Sequence, residues 1–173
     1  MPTMRTALPV RLARRLAPVA GCLSLLAGAT AGTVAGAGPA VAAAANCEGG
    51  VNGFVDIPDT LSGTVVGDPY YTPEPRNLVL TLQHGNVGGL DRGWAKIEHW
   101  VMRGDQVWMD VTRNGGSSWL QCGPFTATES HNTSHTPMTT PAYPTSADPN
   151  VRFRACVSRT SVNNYPIHCT PWW

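Results

Sequence analysis

The stretch Asp105–Trp119 reads DQVWMDVTRNGGSSW. Successive side chains of an extended strand point to opposite faces, so Val107, Met109 and Val111 fall on one side and Gln106, Trp108 and Asp110 on the other. Arg113-Asn114-Gly115-Gly116 then supplies residues that tolerate positive φ, which a tight hairpin turn requires. Trp119 returns within cross-strand reach of the outgoing strand. The stretch therefore predicts a β-hairpin, with its polar turn dictated by backbone geometry.

Working outward, no segment carries a helical period; short runs alternate and stop at Gly, Pro or Asn. Strands are expected over Val51–Ile57, Gly63–Val66, Leu78–Gln83, Trp94–Trp100, Gln106–Val111, Trp119–Cys122 and Val151–Ser158. In Trp94–Trp100, Ala95, Ile97 and His99 share one face while Trp94, Lys96, Glu98 and Trp100 share the other. In Val151–Ser158, Val151, Phe153, Ala155 and Val157 oppose Arg152 and Arg154. Such alternation suits antiparallel sheets with one wet side. The fold class is all-β, a small antiparallel sandwich or barrel. Residues 126–150 carry four prolines and many hydroxyls and are expected to form a long exposed loop, which includes the sequon Asn132-Thr133-Ser134.

The first 45 residues differ from the rest. Arg5, Arg11, Arg14 and Arg15 are their only charges, an uncharged Ala, Gly and Leu-rich run follows from Leu16, and Ala40-Val41-Ala42 opens a small-residue exit. That order is the order of a secretory signal, with cleavage after Ala42, Ala44 or Ala45. Two anchored alternatives stay open: a membrane span within residues 16–45, against which its glycines, Pro18 and Pro39 argue, and lipidation at Cys22. Arg14-Arg15 also raises the twin-arginine route. Without residues 1–45 the chain keeps 128 residues, one domain, with 8 basic and 11 acidic side chains and a net charge of −3. With Lys96 its only lysine, it lacks the basic footprint of a nucleic-acid binder or a membrane-surface binder. No stable membrane insertion is expected after cleavage.

Cys47, Cys122, Cys156 and Cys169 remain, an even number suited to an oxidising compartment. Cys156 and Cys169 flank a turn-like stretch, so the expected bonds are Cys156–Cys169 and Cys47–Cys122. Zinc is the competing use, and no Cys-x-x-Cys pair supports it.

Two resemblances add to this. Thr112-x-Asn114-x-Gly116-x-Ser118-Trp119 is similar to the Asp-box hairpin of sialidases and other secreted β-proteins, with Thr for Ser, Asn for Asp and Ser for Thr. That resemblance implies a structural role for Thr112, Asn114, Gly116, Ser118 and Trp119. More widely, about half of the mature chain resembles a pattern in small secreted actinobacterial modules. The pattern comprises Gly93-Trp94-Ala95, Arg103-Gly104-Asp105-x-Val107-Trp108-x-Asp110, Asn114-Gly115-Gly116-x-Ser118-Trp119, Arg154-Ala155-Cys156 and Cys169-Thr170-x-Trp172. It implies an extracellular β-module contacting cell-wall or other polysaccharide. The Ala-rich leader and low lysine content fit such a host.

Candidate binding residues are Trp94, Trp100 and Trp108, on the polar faces of their strands, with Glu98 and Asp110 beside them to bind hydroxyls. Trp172 and Trp173 are expected to dock onto the body. His131 and His135, joined by His84 or His99, could form a metal site only if folding gathered them, and no metal or cofactor is expected. No Gly-x-Ser-x-Gly elbow occurs, which leaves Glu98 with Asp110 or Asp105 as the carboxylates a glycan hydrolase could use. The favoured reading is a secreted, non-catalytic polysaccharide-binding module. Alternatives are an extracellular interaction protein or inhibitor acting through the 126–150 loop, and a small glycan hydrolase.

Overall fold

The computed structural model describes residues 44–73, 77–128, 136–160 and 165–173, all within the unit Gly38–Trp173. Among the described residues, nine strands form two antiparallel sheets: β1 (Thr64–Tyr71), β2 (Leu78–Val87), β3 (Leu90–His99), β4 (Asp105–Thr112), β5 (Leu120–Thr126), β6 (Met138–Thr139), β7 (Tyr143–Pro144), β8 (Arg152–Arg159) and β9 (His168–Cys169). The first sheet runs β1-β2-β3-β6, with β7 also paired to β3; the second runs β5-β4-β8-β9. The architecture is a two-sheet sandwich, not a closed barrel.

Alternation builds the core. Leu78, Leu80 and Leu82 of β2, with Ala95 and Ile97 of β3, face Val107, Met109 and Val111 of β4 and Phe153, Ala155 and Val157 of β8. Each large side chain buried there stabilises the fold by roughly 1.5–3 kcal/mol. Cys47–Cys122 ties the start of the described chain to β5, and Cys156–Cys169 ties β9 to β8. The second bond also places the tail: Thr170 N–H donates to the Ala155 carbonyl, and Trp173 and Phe153 exchange both main-chain hydrogen bonds.

Two expectations are corrected. Val51–Ile57 is not a strand: Glu48–Gly53 coils as 3-10 turns with positive φ at Gly49, Gly50, Asn52 and Gly53, and only Val55 bridges, to Ala142. Nor is 126–150 one exposed loop. Met138–Thr139 and Tyr143–Pro144 pair with β3, burying Thr139, Thr140 and Ala142, because β3 would otherwise leave its hydrogen-bonding edge open. The sequon, His131 and His135 lie outside the described residues.

The sheet edges end alike. Thr140 accepts the Ala95 N–H and donates to the Pro141 carbonyl; Thr170 does the same with Ala155 and Pro171. Each outermost strand contains a proline or runs into one: Pro69 in β1, Pro124 in β5, Pro141 after β6, Pro144 in β7 and Pro171 after β9.

Candidate functional site

The tryptophan platform expected from alternation does not exist. Trp94 is 1% exposed, Trp108 is 7% exposed and Trp100 is half-buried. Trp94 does point away from the core, but the chain entering β1 crosses over it. A Cβ on Gly63 would stand 2.6 Å from the indole and 2.4 Å from the His84 carbonyl oxygen, so only glycine fits there. Gly63 N–H donates to Gln83 Oε1 at 2.9 Å and Ser62 Oγ accepts from Lys96 Nζ at 2.9 Å, which fastens this strap. The Trp94 Nε1–H is buried without a partner among the described residues.

The expected carboxylates are placed just as differently. Asp110 is buried and takes a forked contact from Arg154, Nε at 2.8 Å and Nη2 at 2.7 Å, both on Oδ2. Its Oδ1 has no partner among the described residues, and burial raises the carboxyl pKa above 3.8 against the opposing pull of Arg154. Asp105 is buried against Arg159 at 3.5 Å. Glu98 sits 3.3 Å from Lys96. Two of the three acids thus face protein rather than an open cleft, and no facing pair forms.

Trp119 is 46% exposed, alongside Tyr71 at 58% and Trp173 at 41%, and is a residue to which sequence alone gives a hairpin role. Its position is rigid because the turn is locked from inside. Thr112 Oγ1 lies 2.6 Å from the Ser118 carbonyl and 2.9 Å from Asn114 Oδ1, and accepts the Gly116 N–H at 2.9 Å. Asn114 Oδ1 accepts the Ser118 N–H at 2.9 Å and its Nδ2 donates to Ser118 Oγ at 2.8 Å. Gly116 is held at φ 103°, a left-handed conformation that favours glycine, and Trp172 packs beside it. Arg154 then lies over both indoles, its Cζ 4.7 Å from the Trp119 ring and 4.5 Å from Trp172. Each such contact contributes about 0.5–1 kcal/mol at an exposed site.

Beside Trp119 opens a cleft of about 220 Å³, lined by Asn52, Val111, Arg113, Asn114, Ser118, Trp119 and Leu120. The 3-10 turns supply one wall and the hairpin the other. Arg113 reaches across to Tyr143, donating to its hydroxyl, with Cζ 5.6 Å from the ring centroid. At less than the ~300 Å³ of small-molecule pockets, the cleft suits a single ring or a chain end. Two other clefts, of about 260 and 290 Å³, lie at Asp59, Val101 and Met138 and at Thr145, Asp148 and Trp173. The former has no exposed aromatic; in the latter Trp173, 41% exposed, stands beside a His84–Asp91 pair at 3.0 Å.

Among the described residues no group of three His, Cys, Asp or Glu side chains could hold a metal, and no helix is long and apolar enough to cross a membrane. No protein-family model, curated protein or solved structure matches the chain.

Proposed function

We propose that this protein is an exported, non-catalytic module that binds polysaccharide outside the cell through Trp119 and the cleft beside it. The observation that carries this reading is an indole nearly half exposed, on a hairpin cross-braced by Thr112 and Asn114, opening onto a small cleft of mixed polar and apolar lining. An indole offers a flat apolar face to the C–H side of a sugar ring, and a preformed wall loses little freedom on binding. Two disulfides are compatible with an extracellular site of action, and the amino-terminal leader supports export.

Trp119→Ala is expected to abolish retention on insoluble cell-wall glycan while shifting stability by no more than about 1 kcal/mol, since the site is exposed. Retention on washed glycan and urea unfolding measure the two. Undiminished retention of a folded Trp119→Ala protein defeats the reading.

A further inference from the structure

We propose that the cleft beside Trp119 takes an acidic saccharide, a sugar ring carrying a carboxylate or phosphate oxyanion that is bound by Arg113. This rests on the polysaccharide reading above and names the class of sugar.

The first ground is which polar groups in the cleft remain unspent. Asn114 uses its side-chain oxygen and nitrogen within the hairpin, and Ser118 Oγ accepts from it. Asn52 Nδ2 donates to the Asn46 carbonyl at 2.9 Å. Arg113 gives one N–H to Tyr143 and is otherwise exposed. A guanidinium has five N–H donors in a planar fork, matched to two oxygens of an oxyanion. Asn52 Oδ1 is left as an acceptor, and the cleft group with the most unspent donors is a cation.

The second ground is the charge around it. Arg154 and Arg159 are matched by Asp110 and Asp105, and Lys96 by Glu98. Arg92, Arg113 and Arg152 have no acidic side chain at ion-pair distance among the described residues. Two of these converge on one turn. Arg92 Nη1 donates to the Gly53 carbonyl at 3.3 Å, and Arg113 holds Tyr143, whose ring edge would be 3.9 Å from a Cβ on Gly53. Asn52, the neighbour of Gly53, is a wall of the cleft. The same 3-10 segment carries Glu48 and is held by Asp56 through the Gly49 N–H, so the turn is not a field of one sign; Arg92 and Arg113 are its cations left without an ion-pair partner among the described residues, and an anion is the ligand they favour.

The test uses matched pairs of oligosaccharides and isothermal titration: oligogalacturonate against its methyl ester, and a phosphorylated maltooligosaccharide against the unphosphorylated one. At least one acidic member should bind ten-fold or more tightly than its neutral mate, and the stronger of the two identifies the oxyanion. Arg113→Gln should erase that difference, so that the acidic member binds no more tightly than its neutral mate. In the unaltered protein, raising salt should weaken the acidic member alone. If neutral mates bind as tightly as acidic ones, or Arg113→Gln keeps the preference, the inference fails while polysaccharide binding stands. If no member of either pair binds, and none of the insoluble glycans retains the protein, both fail together.

Discussion

On the outer side of the β1–β2–β3 sheet, Trp94 and Lys96 lie under main chain; on the outer side of the β5–β4–β8–β9 sheet, Asp110 lies under side chains, Arg154 first and then Trp119 and Trp172. The strap through Ser62 and Gly63 makes the first cover closed, because its backbone is hydrogen-bonded to Gln83 and fits the indole without room for a Cβ. The second cover is a stack of rings and a guanidinium whose top layer remains wet. A closed cover hides an aromatic as effectively as a core does. An open one presents it, which is why one tryptophan of this sandwich is structural and another is available.

The sharpest way to break that contrast is truncation on each side. Trp94→Ala should cost about 4 kcal/mol, as for other buried Trp→Ala changes, against about 1 kcal/mol or less for Trp119→Ala; urea midpoints decide it. Similar costs at the two sites would mean that the covers do not differ.

The next largest effect is expected at the staple under the open cover. Replacing Cys156 and Cys169 together by Ala removes a bond across a separation of 13 residues and should cost about 3 kcal/mol by loop entropy. It should also reduce glycan retention, because the bond holds the tail that carries Trp172. Lost stability with full retention would show that Trp119 works without its neighbour.

The smallest effect is in pH dependence, and its two signs separate the regions. Asp110 has its folded pKa raised by burial, so its contribution is fully present below 3.8 and is lost as pH rises through the folded value. Asp91, hydrogen-bonded to His84 and Thr145, has its folded pKa lowered. Its contribution is present above 3.8 and is lost as pH falls through the lower folded value. From pH 7 toward acid, the stability of wild type relative to Asp110→Asn should therefore rise, while that relative to Asp91→Asn should fall once pH drops below 3.8. Parallel pH curves for the two variants would contradict this assignment.

Much of the frame was legible because strand alternation is local. Val107, Met109 and Val111 face the core as their spacing predicts, and the proximity of Cys156 to Cys169 along the chain pointed to their bond. What alternation cannot carry is the layer beyond the sheet. Trp94 and Trp108 do leave the core face, as read, yet exposure depends on whatever else lies there, and for Trp94 that is Gly63. Likewise Arg113 reads as filler in a polar turn. Its place in the cleft beside Trp119 arises from Asn52 and Tyr143, which are remote in sequence and reach it only through the 3-10 turns and β7.

The prolines at the sheet borders have a consequence for recognition. A proline in or just after each outermost strand removes one main-chain N–H there and breaks the run of rungs an incoming extended peptide would need, and a second copy of the same molecule meets the same obstacle. Such edges resist zipping onto a second copy of the chain. The ligand proposed above would be gripped by side chains beside Trp119, not by lengthening a ladder.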